Sequence, residues 1–419
     1  MNKSCLVFLI LLSNFNKNIY STIDFQPFKA YMPKSDGLLL LTDIKYSDNK
    51  ISNNIINELN KIKSYEDIKE IKDAISIKEF ITNGFFEQDK KSSFYLYCQQ
   101  RTDATNIGII GKIAIDNYIK KEIKQHENII ESKAEFAQKI IDIQKAFIEP
   151  VLLSYKDNPK INSIIIKTLA QYPDFAIKTI NKTRHLIWKI NKKNDINAIT
   201  KIFSGMPNLY IADGHHRCAA ASRIKNDDIK YMTAALFSDE QITIYPYHRL
   251  LKNINNLSKN NFKETLRKHF DLVKSTKKTV PHKNIRLYFN TKWYTLKPKN
   301  HNSKITNIWI SIKNTFHKKE YNILETIPSQ LFQEKIINEI FGKDQEKINT
   351  SLEYISGNLS IDKIISKVEK ENYTALFLLP ALKPTELMTV VDYNKNLPPK
   401  STWIEPKIKA GLVVKDLEE

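Results

Sequence analysis

The sequence predicts a mixed α/β protein with more than one domain, and three observations support this prediction. The chain has 419 residues, which is too long for one simple core, so we expect two or three domains. Residues 45–92 place apolar side chains at helical spacing, as in Ile55, Leu59 and Ile62. Residues 93–98, with the sequence Ser-Phe-Tyr-Leu-Tyr-Cys, are rich in the residue types that strands prefer.

The first 250 residues continue to alternate between strands and helices. A strand predicted at 106–115 is expected to lie next to the strand at 93–98 in one sheet, and residues 120–145 have the pattern of a helix. The remaining strands of this half are predicted at 150–155, 184–190, 209–212, 232–237 and 241–245.

The pattern changes near residue 250, where a second α+β region begins. Its helices are predicted at 262–270, 328–341, 347–371 and 386–391, and its strands at 285–289, 293–296 and 374–379. Thr385 is a candidate cap for the last helix. We therefore predict an N-terminal extension over residues 1–24, a core domain over 25–250 and an α+β C-terminal region over 251–419.

The charge pattern does not favour a nucleic-acid-binding protein, although the net charge is +19. The basic residues are spread over unrelated segments, and the sequence contains no RNA-binding signature, zinc-finger spacing or basic-leucine pattern. We expect a generically basic surface without a nucleic-acid partner.

Cysteine usage points to a reducing compartment. The three cysteines, Cys5, Cys98 and Cys218, are far apart and form neither a disulfide framework nor a C-x-x-C pair. Residues 1–12 resemble the charged start and apolar core of a signal peptide, but the apolar run is too short to span a bilayer and no A-x-A site follows. We expect a cytoplasmic protein, with export as the alternative.

The most distinctive motif is Leu209-Tyr-Ile-Ala-Asp-Gly-His-His-Arg217, which has the order of a strand, a tight turn and the start of a helix. Such a turn collects backbone N–H groups and favours an anion. Three interpretations remain open: a metal site, a structural turn and a phosphate cradle. We favour the phosphate cradle, because Arg217 suits bidentate phosphate contact and Asp213 suits a magnesium-bound water or a ribose.

A second candidate is the pair His126-Glu127. Such a pair near the start of a polar helix is usually solvated surface. Glu127 would act as a general base only if a hydroxyl came within hydrogen-bond reach of its carboxylate.

A third candidate is Pro399-Lys400-Ser401-Thr402. The two prolines at 398–399 fix a turn, while an ammonium, two hydroxyls and successive N–H groups suit a phosphate or a carboxylate. The segment is not a Walker loop, because the G-x-x-x-x-G frame is missing.

Taken in this order, the motifs resemble the bacterial and archaeal proteins of domain of unknown function family 1015. The resemblance runs from about residue 25 to 414. The segments that carry it are 126–127, 149–153, 209–217, 244–249, 377–380, 397–403, 406–407 and 411–412.

The same motifs are similar to those of the free-serine kinases, which have a ParB/sulfiredoxin-like nucleotide-binding fold and pass a phosphoryl group between a nucleotide and free serine. The resemblance implies such a core, ATP or ADP with Mg²⁺ as cofactors, and a small hydroxyl-bearing substrate. It also implies residue roles: Glu127 as the base with His126 beside it, Asp213 as a catalytic residue and magnesium ligand, Gly214, His215, His216 and Arg217 on the nucleotide phosphates, and Lys400, Ser401 and Thr402 on the phosphorylated substrate.

The sequence departs from the family pattern in four places. Residues 34–41 replace an expected Pro-Pro-Tyr-Asp-Val-type segment, residues 128–130 lack an expected Thr, an Arg expected further along the same helix is not found, and His248 stands where Asn is usual. Two alternatives to a kinase therefore stay open: a ParB-type nucleotide-binding switch or DNA-associated module without turnover, and a degenerate structural relative.

Overall fold

The computed structural model describes residues 22–34, 77–179, 182–224, 226, 228–276, 279, 284–299, 324 and 327–417. These residues form two compact units. The first comprises the described parts of Met1–Gln125, Ile129–Gln241 and Pro406–Glu419, and the second those of His126–Asn128 and Ile242–Glu405. The predicted mixed α/β class is confirmed.

The first unit contains most of the chain's N-terminal half. Its elements up to residue 241 are β1 (Phe25–Gln26), β2 (Tyr31–Pro33), α1 (Ile77–Thr82), β3 (Phe86–Gln88), β4 (Phe94–Gln100), β5 (Thr105–Ala114), α2 (Ile115–Ile119), β6 (Ile123–Lys124), α3 (Glu131–Gln144), β7 (Ala146–Phe147), β8 (Val151–Tyr155), α4 (Pro159–Leu169), β9 (Phe175–Lys178), β10 (Arg184–Ile190), α5 (Lys193–Ser204), β11 (Leu209–Asp213), α6 (His215–Ala221) and β12 (Tyr231–Ser238).

The second unit contains seven strands and a group of short helices. Its elements are β13 (Thr243–Leu251), α7 (Lys259–Arg267), β14 (Phe270–Ser275), β15 (Ile285–Phe289), β16 (Lys292–Pro298), α8 (Pro328–Phe332), a π-helical turn (Gln333–Ile337), α9 (Asn338–Phe341), α10 (Gln345–Ser351), β17 (Leu352–Ser356), α11 (Ile361–Lys370), β18 (Ala375–Leu378), α12 (Pro384–Asp392) and β19 (Thr402–Glu405). The last strand of the chain, β20 (Lys415–Asp416), returns to the first unit, where it pairs with β7.

The main sheet of the first unit has nine strands in the order β6-β11-β8-β12-β5-β4-β10-β9, with β1 beside β5. Strand β11 runs parallel to β6 and antiparallel to β8, so the sheet is mixed. Many of its apolar residues belong to one buried cluster, in which Phe25 stacks on Phe94 at 4.9 Å between ring centroids. Glycine is required on β5, because a Cβ at Gly108 would lie 2.4 Å from the ring of Phe237.

The sheet of the second unit is antiparallel, in the order β14-β16-β15-β18-β13-β17, with β19 paired to β13. Two buried apolar clusters pack in this unit. Side-chain caps fix two of its helices: Ser258 accepts from the N–H of Asn261, and Asp344 accepts from the N–H of Lys347.

Several predicted elements are corrected by the structure. Residues 347–371 do not form one helix, because 352–356 pair with β13 as strand β17 between two helices. The helix predicted at 120–145 starts only at Glu131, since residues 123–124 pair with β11. The helix predicted at 262–270 ends at Arg267, and Phe270 begins β14.

The compact units also differ from the predicted domain boundaries. The change of unit falls after Gln241 rather than at 250, since residues 243–251 form one strand of the second sheet. Residues 1–21, which include the signal-like segment, lie outside the described residues. So do residues 35–76, which include most of the predicted 45–92 helices and all but the first residue of the 34–41 departure. In the part of the chain that the structure describes, no helix has both the length and the apolar composition to cross a membrane.

Candidate functional site

The predicted strand, turn and helix around Asp213 are present as β11, Gly214 and α6. Gly214 has φ of 94°, a left-handed conformation that favours glycine. A Cβ at this position would also lie 3.0 Å from the guanidinium of Arg217. The helix that follows has seven residues and packs its small side chains at 218–221 in the core, where it contacts α3 and β8.

Arg217 connects two carboxylates. Its guanidinium lies 2.9 Å from Asp213 Oδ2 and 2.5 Å from Glu149 Oε1, and it donates to the carbonyl of Pro150 at 3.2 Å. Burial by itself lowers the pKa of Arg217, but the carboxylates of Glu149 and Asp213 outweigh burial and hold the pKa above its ordinary value. The guanidinium is therefore a fixed positive charge at the end of β11.

At Glu149 the effect of burial on the pKa outweighs the effect of the neighbouring positive charge. Burial raises the pKa of its carboxyl, even though the guanidinium of Arg217 acts to lower it. The carboxyl of Glu149 therefore takes up a proton at a higher pH than an ordinary glutamate does.

Asp213 faces a cation on each of its oxygens. Oδ2 contacts Arg217, and Oδ1 accepts from the ammonium of Lys407 at 2.6 Å. Each oxygen of this carboxylate already contacts one cation, so a magnesium ion bound to Asp213 would have to share these oxygens with Arg217 and Lys407. Among the described residues, no group of three or more His, Cys, Asp and Glu side chains could hold a metal ion.

The two histidines of the motif differ in burial and in their surroundings. His215 is buried, whereas Nε2 of the half-buried His216 accepts the backbone N–H of Ile130 at 3.1 Å. An accepting Nε2 leaves the proton of a neutral imidazole on Nδ1, so Nδ1 is the nitrogen of His216 that could donate to a phosphate.

Cys218 follows in the same helix and is not a nucleophile. Burial raises the pKa of its thiol to about 12. A thiol of this kind stays protonated near neutral pH, and the thiolate is the reactive form.

His126 and Glu127 lie in the connection between β6 and α3 rather than on the predicted helix start. His126 is buried, and its Nε2 lies 3.3 Å from the hydroxyl oxygen of Thr402. The carbonyl of His126 accepts the N–H of Leu397 at 2.9 Å. Two motifs that stand 276 residues apart in sequence thus meet within the second unit.

Glu127 and Asn128 complete this contact region. The side chain of Glu127 is half-buried. Asn128, which belongs to one of the departures from the family pattern, accepts from the side chain of Asn396 at 2.7 Å. The segment is therefore fixed against the chain that leads into the Lys400 motif.

The segment Pro399–Thr402, called the Lys400 loop below, leads into strand β19, whose first residue is Thr402. Lys400 has φ of 56°, and its ammonium lies 5.4 Å from the centroid of the Tyr247 ring. The hydroxyl of Ser401 is buried, 2.8 Å from that of Ser329 and 2.5 Å from the carbonyl of Pro398. Ser401 is thus engaged within the protein, whereas Lys400 is exposed.

The structure places three residues in these clusters whose roles the sequence motifs did not indicate. Glu149 and Lys407 join Asp213 and Arg217 in the first unit, and Arg249 contacts the Lys400 loop in the second. A proline adjoins each of Glu149 and Lys407, and a proline in a sequence signals a turn or a loop. No spacing rule, however, relates two positions so far apart in the chain.

The compared structures are distant. A free serine kinase variant in complex with ADP is 15% identical, with a TM-score of 0.38, covering 71% of this chain and 88% of that chain. A conserved hypothetical protein from Pyrococcus furiosus is 17% identical, with a TM-score of 0.37, covering 73% and 95%. SbnI with a C-terminal truncation, from Staphylococcus aureus, is 12% identical, with a TM-score of 0.37, covering 73% and 87%. A search of curated proteins finds no match.

The family model settles the resemblance that the motifs indicated. It carries the description "Protein of unknown function (DUF1015)" and matches residues 40–321, which is more than half of the chain. The predicted family is therefore confirmed, and the chain belongs to the DUF1015 family.

Proposed function

We propose that this protein transfers a phosphoryl group between a nucleotide and the hydroxyl of a small molecule, and that the small molecule is free serine. The observation that supports this most is the contact of His126 with Thr402, at 3.3 Å. It brings together the motif expected to supply the base and the motif expected to hold the substrate.

Glu127 is the proposed base. Its neighbour His126 is fixed on both sides, by Thr402 at the imidazole and by Leu397 at the backbone, so the position of Glu127 is also restricted. As the serine hydroxyl oxygen bonds to the terminal phosphorus of the nucleotide, the bond from that phosphorus to the bridging oxygen breaks. The hydroxyl proton passes to Glu127, and the shortened nucleotide leaves.

The Lys400 loop is the proposed anion clamp for the substrate. The ammonium of Lys400 supplies positive charge for the carboxylate of serine or the phosphate of phosphoserine. Thr402 supplies a hydroxyl, while Ser401 acts by holding the loop through Ser329 rather than by contact with substrate.

The cluster of Arg217, Lys407, Asp213 and Glu149 is proposed to receive nucleotide phosphates. The net charge of the cluster is zero when both carboxyl groups are ionised, because it contains two cations and two carboxylates. Because the pKa of Glu149 is raised, uptake of a proton there leaves one excess positive charge beside Gly214 and His216. A ParB/sulfiredoxin-like core for this unit and a dependence on Mg²⁺ remain predictions, and no step is assigned to a metal.

The test is phosphoserine formation followed by ³¹P NMR. Purified protein is incubated with serine, magnesium and either ATP or ADP, with EDTA in a parallel sample. We expect O-phosphoserine from the wild type with one of the nucleotides, and a loss of at least about a hundredfold in Glu127→Gln, because general-base catalysis typically contributes about 10²- to 10⁴-fold.

Glu135→Gln is the matched control, since Glu135 is an exposed carboxylate on α3. It should keep normal turnover, and the thermal midpoints of both variants should match that of the wild type. Turnover that Glu127→Gln leaves unchanged contradicts the assigned base. A nucleotide-induced rise of the midpoint without any phosphoserine contradicts the kinase and favours the switch.

A further inference from the structure

Arg249, on β13, is a buried cation without a carboxylate partner among the described residues. Its residue surface is 3% exposed. The guanidinium carbon lies 4.5 Å from the ring centroid of Tyr354 and 5.7 Å from that of Phe332. Burial lowers the pKa of Arg249 to about 10, and the guanidinium still carries its charge near neutral pH.

The guanidinium donates to two backbone carbonyls. Nη1 donates to Tyr247 at 2.7 Å, within the same strand, and Nη2 donates to Lys400 at 2.9 Å. The second bond joins β13 to the Lys400 loop at the residue whose φ is 56°. A non-glycine residue in this conformation is strained and persists where its surroundings hold it in place.

A buried charge without an opposite charge is unfavourable for folding, and an apolar side chain of similar volume usually serves the core as well or better. The two bonds to carbonyls and the aromatic faces offset only part of that cost. The fold alone therefore does not explain an arginine here, whereas the geometry of the loop does.

We infer that Arg249 is a positioning residue for the Lys400 loop: it holds the backbone of Lys400 in the left-handed conformation in which residues 400–402 receive the anionic group of the substrate. This inference rests on the proposed function of the loop. The chemistry it serves is recognition of a small phosphate- or carboxylate-bearing molecule. The planar fork of arginine reaches two carbonyls at fixed angles, which a single ammonium does not reproduce.

The test compares Arg249→Met and Arg249→Lys with Arg286→Met in the full chain. Arg286 is a matched control, since it is a buried arginine of the same sheet, on β15, whose pKa burial likewise lowers. Hydrogen exchange of the amides at 400–402 and the affinity for O-phosphoserine are measured, together with the thermal midpoint.

In Arg249→Met we expect exchange at 400–402 to rise at least tenfold and the affinity for O-phosphoserine to fall at least tenfold, with little change in the midpoint. Arg249→Lys should not restore either quantity, and Arg286→Met should change neither. Unchanged exchange at 400–402 in Arg249→Met overturns the positioning role. So does an equal rise of exchange along β13 and β17, which would indicate a purely structural role.

Failure of the wild type to bind O-phosphoserine contradicts the proposed function instead. The exchange measurement does not depend on catalysis, so it distinguishes the two failures. If Arg249→Lys has the exchange rates at 400–402 and the affinity of the wild type, the planar guanidinium is not required, and that part of the inference is wrong.

Discussion

Each unit has an arginine next to a candidate site, half-buried Arg217 in the first and buried Arg249 in the second, and the two charges are stabilised in different ways. Arg217 in the first unit contacts Asp213 and Glu149, and its pKa is held above the ordinary value. Arg249 in the second unit contacts two carbonyls and two aromatic rings among the described residues, and burial lowers its pKa to about 10. In the first unit the guanidinium and the carboxylates stabilise one another. In the second unit the guanidinium holds the backbone of Lys400 at the cost of burying a charge.

This difference separates contributions to folding from contributions to binding. Removing one partner of a buried ion pair leaves the other charge uncompensated, whereas removing an unpaired buried charge relieves a cost. The two arginines should therefore respond to the same substitution with different stability changes.

The largest expected effect is that of Arg217→Met. It leaves the carboxylates of Asp213 and Glu149 without the guanidinium and should lower the free energy of unfolding of the first unit by about 3 kcal/mol, the low end of the range for a buried pair, because the side chains are 20–38% exposed. Arg249→Met should change the stability of the second unit by no more than about 1 kcal/mol. Native-state hydrogen exchange of β11 and β13 measures the two units separately, and equal losses would remove the distinction between them.

A second effect is the pH dependence of the second unit. His248 is buried and accepts the N–H of Leu379 through Nδ1, and burial lowers its pKa from 6.5 to about 4. Since its folded pKa lies below its unfolded value, the unfolded state binds more protons between these limits, and stability falls as the pH falls from 6.5 to 4. The loss should reach about 3 kcal/mol at pH 4.

His248→Asn should remove this pH dependence, because the amide oxygen of Asn accepts the same N–H without titrating. His185 of the first unit is the matched control: burial lowers its pKa to about 4 as well, and its Nδ1 lies 2.7 Å from the hydroxyl of Tyr97. His185→Asn should alter the pH profile of the first unit only. A profile of the second unit that His248→Asn leaves unchanged would show that another group causes the dependence.

The smallest effect is that of Lys407→Met. The side chain of Lys407 is 42% exposed, so solvent screens its bond to Asp213. We expect a loss of about 0.5–1 kcal/mol, measured by denaturation beside Arg217→Met. A loss as large as that of Arg217→Met would make Lys407 an equal partner in the cluster.

The sequence predicts local elements here better than it predicts partners. The apolar run at 94–98 and the Asp-Gly break at 213–214 are local signals, and both elements form as expected. The sequence does not predict strand β17, because the residues on both sides of 352–356 have apolar side chains at helical spacing. The pairing of this strand with β13 depends on residues about 100 positions away in the chain.

The site residues show the same difference between local signals and distant partners. Gly214 was predicted from the turn itself, whereas the partners of Arg217 come from positions 149 and 407. The role of Arg249 depends on which residues surround it in three dimensions, and no spacing pattern encodes that burial.

The central claim is that the Lys400 loop binds the anionic group of a small substrate. Titration calorimetry of O-phosphoserine into wild type, Lys400→Met and Lys395→Met tests it most directly. Lys395 is an exposed lysine just after α12, so its substitution makes the same change in net charge. We predict that Lys400→Met weakens binding at least tenfold, about 1.4 kcal/mol, while Lys395→Met stays within twofold. Equal weakening in both variants, or no binding by the wild type, would contradict the claim.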